Sequence, residues 1–582
     1  MARFLRQPQS KDPDNLNPAR AVRTFLTIIP ARSKTTLIPP QSFPTSYNRA
    51  VLKSASLRLL ALFLLCSTSL RAQSPAAPDA AAPGQRVVLV LPFENRSAQP
   101  TLNWISDSFP DTLNQRLSSA GFLTITRDDR LFALDHLGLP TDFKPTRATT
   151  IRIAQTLDAG FIIVGSFSVE AGRIKVQSQV LDVNQLKLSS PVQETADLGR
   201  LFDAENSVAW KICKAINPRF SVAEQTFLSA SNGIKLTSYE NYIRGISAAT
   251  PQERTKHLQA AVQESPSYTA AQLALGKQLY ADREFDQAAA VLAKVPRTDR
   301  VALEANFYLG LARFNNAKYA EAEAAFAFVS SRLPLPEVVN DQGVAQSRQG
   351  KDGTALFQRA STTDPNDADY HFNLAVSYFH RGDLANAERE VEQTLKLKAN
   401  DSEAVELRTL IAAGRSQVAK ASSGFDPTTR IRRTYSEAGF RQATFELDQL
   451  RAMRLATLPP AQQATEYTQL GHDYLAQGLL PEAEEDFNAA ILADSSNALG
   501  HAGLAQVREQ SGDENAARNE AHASITLKPN VIAYLVLARL DLQNNELADS
   551  AINVSHALHI EANNPSALGM RQALLNRGQP VP

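Results

Sequence analysis

Apolar positions between residues 86 and 216 follow the periods of strands and of helices. An unbroken Val-rich run at 86–93 is typical of a strand that is buried on both faces. Apolar residues then recur at every fourth position from Ile105 to Leu117, which predicts an amphipathic helix. The other predicted elements are a strand at 121–126, a short helix at 151–157, a hairpin of strands at 161–168 and 174–183, and a helix at 198–216. This order predicts a small α/β sandwich.

A spacing of 34 residues dominates the rest of the chain. Positions 275–276 and 309–310 both hold Leu-Gly, while 470–471 and 504–505 hold Leu-Gly and Leu-Ala. Each of these dipeptides leads the same pattern of small and large apolar residues. A fixed period of this length indicates pairs of antiparallel helices stacked into a solenoid.

The repeated pattern, Leu-Gly-x-x-Tyr followed by Ala, a large apolar residue, Ala and Pro, resembles the tetratricopeptide repeat (TPR) family. The resemblance implies an all-α solenoid in two blocks, at 234–413 and 464–577, the second ending in a capping helix. Residues 414–463 are expected to form a hinge and a connecting helix that begins near Thr429. Arrays of this family hold partners, so the resemblance implies a protein-interaction function.

A second resemblance covers residues 86–216. The stretches LPFENRS (91–97), DAGFIIVGSFS (158–168) and VQSQVLDV (176–183) are similar to the TolB amino-terminal-like domain family, and they occur in the expected order. In that family the domain often precedes TPR arrays. The resemblance implies no catalytic residues.

The amino-terminal region separates from the rest by its charge. The 582-residue chain has a formal net charge of zero, yet residues 1–72 hold eleven Lys and Arg and two Asp and Glu, which leaves −9 for the remainder. Within 49–72, a basic flank and a short apolar run end in Leu-Arg-Ala, as in a secretory signal peptide. We expect export to the periplasm or the extracellular space, followed by a Pro/Ala linker at 73–85. A membrane anchor through 57–70 is the alternative, and a cytoplasmic protein would require that 49–72 is no signal.

The TPR resemblance also implies which residues line a partner-binding groove. The expected residues are Leu273, Lys277, Tyr280, Phe307, Leu311, Phe314, Phe372, Val376, Phe379 and His380. Because this surface is apolar and aromatic, we expect it to bind apolar or aromatic segments of a protein or peptide partner. The alternative is that adjacent repeats or the amino-terminal domain cover these side chains.

Sequence motifs for chemistry are missing. No nucleotide-binding, zinc-protease or nucleophile-elbow motif occurs, and His556 and His559 have no further ligands nearby in the sequence. We therefore expect no catalytic residue, cofactor or metal, and the acidic remainder argues against a nucleic-acid partner. The predicted function is a non-enzymatic interaction scaffold. A small-molecule or polysaccharide sensor that uses the α/β domain, with the repeats as a relay, is one alternative, and a hydrolase on the α/β domain is another.

Overall fold

The architecture is a mixed α/β domain followed by a long helical solenoid, which confirms the predicted fold class. The extension, signal peptide and linker predicted at the amino terminus lie outside the residues that the structure describes. This computed structural model describes residues 87–140, 146–229, 234–414, 426–432 and 437–582.

The α/β domain is built on a seven-stranded sheet. Its strands are β1 (Val87–Val90), β2 (Glu94–Asn95), β3 (Leu123–Thr124), β4 (Phe161–Glu170), β5 (Arg173–Asp182), β6 (Lys187–Leu188) and β7 (Val192–Asp197). They follow the order β3-β1-β4-β5-β6, with β2 also paired to β4 and β7 to β5. β1 is parallel to both β3 and β4, whereas β4 and β5 are antiparallel.

The predicted hairpin is confirmed as the longest strand pair of the sheet. Phe161 lies opposite Asp182 at one end of β4 and β5, and Glu170 lies opposite Arg173 at the other. The two-residue turn between the strands has positive φ at Ala171 (49°) and Gly172 (75°). Such turns suit the right-handed twist of the strands that they join.

Helices cover both faces of the sheet. They are α1 (Trp104–Ser119), α2 (Arg127–His136), α3 (Arg147–Thr156) and α4 (Leu201–Ile216). Successive side chains of β1 alternate between two cores: Val88 packs with α1 and α4, and Leu89 packs with α2 and α3. This alternation explains why the sequence of the strand is apolar at every position.

The remaining helices form two blocks of antiparallel pairs. After the short α5 (Glu224–Ser229), the first block consists of α6 (Leu236–Ser247), α7 (Pro251–Glu264), α8 (Thr269–Ala281), α9 (Phe285–Leu292), α10 (Ala302–Asn315), α11 (Tyr319–Ser330), α12 (Pro336–Ser347), α13 (Thr354–Thr363), α14 (Ala368–His380), α15 (Leu384–Leu397) and α16 (Ser402–Ala412). A connecting helix, α17 (Glu437–Ala456), precedes the second block, which consists of α18 (Pro460–Ala476), α19 (Leu480–Ala493), α20 (Ala498–Gln510), α21 (Glu514–Leu527), α22 (Val531–Gln543), α23 (Leu547–Ile560) and α24 (Pro565–Asn576).

Small residues set the distance between the two helices of a pair. A Cβ atom at Gly310 would lie 2.6 Å from the ring of Phe326, and one at Gly471 would lie 2.7 Å from the ring of Phe487. Real Cβ contacts are longer than this, so the helices approach closely only because these positions lack a side chain. The 34-residue pattern of small residues is thus a packing requirement.

Several elements differ from the predictions. The connecting helix begins at Glu437, so the prediction of a start near Thr429 is wrong; residues 426–432 form neither helix nor strand. The sequence analysis also missed α2 and the edge strand β7. The strand was missed because β7 (VQETAD) alternates between half-buried and exposed side chains and carries only two apolar ones.

The α/β domain and the first helix pairs share one continuous core, which runs from Val88 to Ala325. Tyr239 of α6 is the central contact, because its ring packs against Phe202 with centroids 4.5 Å apart and against Trp104 at 6.2 Å. The domain is therefore an integral part of the solenoid rather than a tethered neighbour.

The second block returns to the α/β domain. Arg300, just before α10, donates to Gln115 O (3.0 Å) and Ser119 Oγ (2.6 Å) of α1 and forms an ion pair with Glu482 of α19. Arg441 of α17 pairs with Asp129 of α2 at 2.7 Å. The chain thus closes on itself: Arg300 joins both blocks to the domain, and Arg441 joins the connecting helix to it.

Candidate functional site: an occupied groove and a cavity

Residues 426–432, called here the cis segment, lie along the first helices of three successive units of the first block. Their contacts are with α12, α14 and α16, and Ile431 packs against the same buried cluster as Phe314 of α10. These first helices form the groove that the sequence analysis expected a partner to occupy. The groove is therefore filled by a stretch of the same chain.

Two asparagines hold the main chain of the cis segment. The amide N–H of Arg430 donates to Asn373 Oδ1 at 2.6 Å, and Asn373 Nδ2 donates back to the carbonyl oxygen of Arg430 at 2.7 Å. Asn340 Nδ2 donates to the same carbonyl at 3.2 Å and Asn340 Oδ1 accepts from Asn373 Nδ2 at 2.7 Å. Farther along, the amide N–H of Arg432 donates to Asp341 Oδ1 at 2.7 Å. Main-chain bonds of this kind are open to any extended sequence.

The side chain of Arg430 occupies a site of its own, the acidic seat, formed by Asp369, Asp401 and Glu403. Its guanidinium donates to Asp369 at 2.8 Å, to both oxygens of Asp401 at 2.7 and 2.8 Å, and to Glu403 at 2.7 Å. The same group lies 3.6 Å from the centre of the Phe372 ring. A planar guanidinium can satisfy several carboxylates and stack on a ring at the same time, which an ammonium cannot do.

The protonation states of Asp401 and Arg430 follow from these contacts. Burial raises the pKa of Asp401, but the hydrogen bonds from Arg430 and from the Ala404 amide outweigh it, and the net pKa falls to about 2. Burial lowers the pKa of Arg430, and the three carboxylates more than compensate, so that its net pKa rises. Both partners remain charged over the whole physiological range.

Most of the groove residues expected from the sequence are buried within the chain. Leu273, Phe307, Leu311, Phe372, Val376 and Phe379 are buried, Lys277, Tyr280 and Phe314 are half-buried, and His380 is exposed. Six of the ten expected side chains are therefore covered by other parts of the chain, as in the alternative interpretation. Binding of a partner by the expected set stays a prediction.

The two asparagines were missed for different reasons: the expected groove set contains no residue of α12, and Asn373 directly follows the expected Phe372. Gly343 occupies the same place over Phe357 that Gly310 occupies over Phe326, although the two glycines are 33 rather than 34 residues apart. Phe372 lies 65 residues after Phe307, so the expected set already departed from a strict 34-residue count, and Asn373 lies one residue beyond it. The signal that could have found them is the 33-residue spacing of Asn340 and Asn373 itself.

A cavity of about 1000 Å³ lies where the α/β domain, the first helix pairs and the start of the second block meet. The expected groove residues Leu273, Lys277 and Tyr280 are among those that line it. Opposite them, α1 contributes Asp111 and Arg116. The front part of the predicted groove thus faces a cavity, whereas the rear part holds the cis segment.

Buried ionisable groups concentrate beside this cavity. Burial raises the pKa of Asp111 to about 7, against the opposing effect of its hydrogen bond with Tyr242. Burial also raises the pKa of Glu205 to about 7, although Ser108 and Thr112 donate to this carboxylate. Carboxyl groups of this kind are protonated in part at neutral pH, which couples the packing of the domain on α6 to pH.

Other candidate residues have structural roles. Asp129 closes the amino terminus of α2 in a reciprocal bond with Thr126, and His556 stacks on Tyr534 with ring centres 5.0 Å apart. Within the described ranges no group of three His, Cys, Asp or Glu side chains could hold a metal ion. In the same part of the chain, every helix is too short or too polar to cross a membrane.

Comparison with known proteins identifies the repeats. The family model described as "Tetratricopeptide repeat" matches residues 342–404 and 468–530. These two stretches are tetratricopeptide repeats. The first TPR match includes Asn373 and the acidic seat, so the TPR groove is where the cis segment lies. No curated protein matches the sequence.

Solved structures resemble separate parts of the chain. The LpoB carboxy-terminal domain from Salmonella enterica is 21% identical over 20% of this chain and 87% of its own, with a TM-score of 0.18. The TPR protein YrrB is 15% identical over 35% of this chain and all of its own (TM-score 0.25), and yeast Sti1 TPR2AB is 15% identical over 48% and 99% (TM-score 0.19).

Proposed function

We propose that this protein is a non-enzymatic scaffold for protein–protein interaction that binds segments of its partners in the TPR groove. The observation that carries the proposal is the bracket formed by Asn340 and Asn373 around the main chain of Arg430. A groove that already holds an extended chain through sequence-independent bonds has the geometry that a peptide partner needs.

Site-specific crosslinking tests this function. A photoreactive amino acid replaces His380, the exposed member of the expected groove set at the end of α14, in the mature chain 73–582. The matched control carries the same group at the exposed His559 of α23. We expect a discrete adduct in the host's cell envelope from position 380 alone. Identical adduct patterns from both positions would contradict a groove-based scaffold.

The location in the cell envelope or the secreted space is part of the same proposal, supported by the signal-like pattern at 49–72. Sequencing the amino terminus of the protein from its host checks it. Cleavage after Ala72 is the expected result, whereas an uncleaved chain retained by the membrane would favour the anchor through 57–70.

A second candidate function is favoured by the cavity. We propose that residues 86–216 form a TolB amino-terminal-like domain that binds a small molecule or a polysaccharide. The cavity lies between this domain and the first repeats, which is where a ligand would have to bind for the repeats to relay its presence. Thermal-shift screening of small molecules and envelope polysaccharides tests this rival. A stabilising ligand whose effect disappears in Tyr268→Ala but persists in the matched Tyr319→Ala variant would support it.

A further inference from the structure

The groove around the cis segment is acidic rather than apolar. The three carboxylates of the acidic seat surround Arg430, while Asp367 forms an ion pair with Arg432, and Asp341 accepts from the Arg432 amide. Two basic side chains of the cis segment thus meet four carboxyl groups contributed by α14, α16 and their amino-terminal caps, and a fifth carboxyl group, from α12, holds the Arg432 amide. An excess of carboxyl groups of this kind attracts cationic segments.

The cis segment fits this groove incompletely. Asp341 is fully buried, and its Oδ2 atom has no hydrogen-bond partner. The Nε atom of Arg432 is likewise buried without a partner. Unpaired buried polar groups lower the stability of a complex. A segment that supplied a hydrogen-bond partner for Asp341 Oδ2 would therefore bind this groove more tightly than residues 426–432 do.

We propose that the acidic seat is the recognition site for an extended partner segment that carries an arginine, and that the cis segment is a resident competitor for it. This inference rests on the proposed scaffold function and specifies the chemical nature of the partner segment. The partner segment places its arginine between the carboxylates of Asp369, Asp401 and Glu403, and its main chain takes the bonds of Asn340 and Asn373. The expected partner is basic, which differs from the apolar segment that the sequence alone suggested.

The cis segment and a partner segment compete for the same groove, and this competition regulates partner binding. A segment tethered to its own groove acts at an effective concentration on the order of millimolar. A partner with the same contacts binds only to the fraction of molecules whose groove is open, so its apparent affinity falls by that fraction. Weakening the cis segment must therefore strengthen binding of a partner.

Direct binding of a labelled peptide tests the inference. The probe is the seven-residue sequence of the cis segment, Asp-Pro-Thr-Thr-Arg-Ile-Arg, and its control has Ala at the fifth position. Both are titrated by fluorescence anisotropy into the full mature chain as wild type, as Arg430→Ala and as the surface control Arg454→Ala. We expect at least tenfold tighter binding of the Arg probe to Arg430→Ala than to wild type or Arg454→Ala. Binding of the Arg probe to Arg430→Ala should weaken as salt is raised.

The groove contacts are tested in the opened chain. Adding Asn340→Ala and Asn373→Ala to Arg430→Ala removes the main-chain bonds, and the Arg probe is expected to bind at least tenfold more weakly. Circular dichroism and the melting temperature establish that each variant folds. Where the triple variant does not fold, Glu403→Gln at the exposed edge of the acidic seat replaces it, with a smaller loss of probe binding.

Three outcomes would overturn the inference. Equal binding of the Arg and Ala probes would show that the acidic seat does not recognise arginine, and no binding to a folded Arg430→Ala chain would show that the groove accepts no segment in trans. Dimerisation of wild type that is lost in Arg430→Ala, measured by sedimentation, would make a second copy the occupant. The crosslinking experiment at position 380 remains independent of all three, so failure here leaves the scaffold function to be judged separately.

Discussion

The hydroxyl groups of Thr112 and Tyr239 lie 2.7 Å apart in the core, and this contact joins the α/β domain to the first helix of the solenoid. Tyr239 also donates to the carbonyl oxygen of Ser108 at 3.1 Å. Tyr239 belongs to a hydrophobic core that continues from the sheet into the repeats, and Thr112 is buried beside it. The two parts are therefore expected to unfold as one unit.

Removing the Tyr239 hydroxyl tests this coupling. Tyr239→Phe keeps the packing and deletes hydrogen bonds to buried partners, so we expect the free energy of unfolding to fall by about 1–2 kcal/mol. Equilibrium unfolding in urea measures it, with Tyr319→Phe, at a half-buried tyrosine of α11, as the control. The idea is wrong if the variant keeps wild-type stability, or if the domain and the repeats unfold in separate transitions.

Stability should depend on pH through Asp111 and Glu205. Their folded pKa values, both about 7, lie above the values near 4 of an unfolded chain, so between roughly pH 4 and 7 the folded state holds protons that the unfolded state has released. The free energy of unfolding therefore falls as pH rises across this window, by on the order of 3 kcal/mol for Glu205.

The isosteric change Glu205→Gln removes one of these contributions. Urea unfolding at pH 5 and pH 8 measures it, with Glu392→Gln at an exposed position as the control. Relative to wild type, Glu205→Gln should gain stability on going to the higher pH, and the control should not. Parallel pH profiles of all three proteins would refute a titrating Glu205.

The helices of this protein can be predicted from its sequence more completely than the contacts that fill its groove. The small residues at 310 and 471 follow from the repeat, because every pair needs one. The bracket formed by Asn340 and Asn373 was missed because no groove residue was expected from α12 and because Phe372, one residue before Asn373, was expected in its place. Arg430 was expected in the connecting helix rather than in the groove, since its partners in α14 and α16 are distant in sequence.

The contact between α5 and the second block depends on a buried ion pair. Glu484 is fully buried; it accepts from the Ala223 amide at 2.8 Å and from Thr226 Oγ1 at 2.5 Å, and it pairs with Arg508 at 2.7 Å. Arg508→Ala leaves this carboxylate without its cation, which should cost about 3–5 kcal/mol. Hydrogen exchange of the amides at 221–229 measures the local effect.

The control for this variant is Arg381→Ala, which breaks an ion pair with Asp352 in which both side chains are more than half exposed. Exposed pairs contribute about 0–1 kcal/mol, so its exchange pattern should match wild type. Unchanged protection of 221–229 in Arg508→Ala would mean that the second block is held to α5 by other contacts.

Two Gly→Ala changes with opposite expected signs test the packing within a helix pair. At Gly310 the new methyl group would lie 2.6 Å from the ring of Phe326, and the forced separation of α10 and α11 should cost about 1–3 kcal/mol. At Gly569 in α24 a Cβ atom meets nothing within 4 Å, so the same substitution should stabilise the chain by about 0.4–1 kcal/mol, because Ala loses less backbone entropy than Gly. Thermal unfolding of both variants beside wild type measures the difference. A loss of stability at both positions, or at neither, would show that close helix approach is not what places glycine in these repeats.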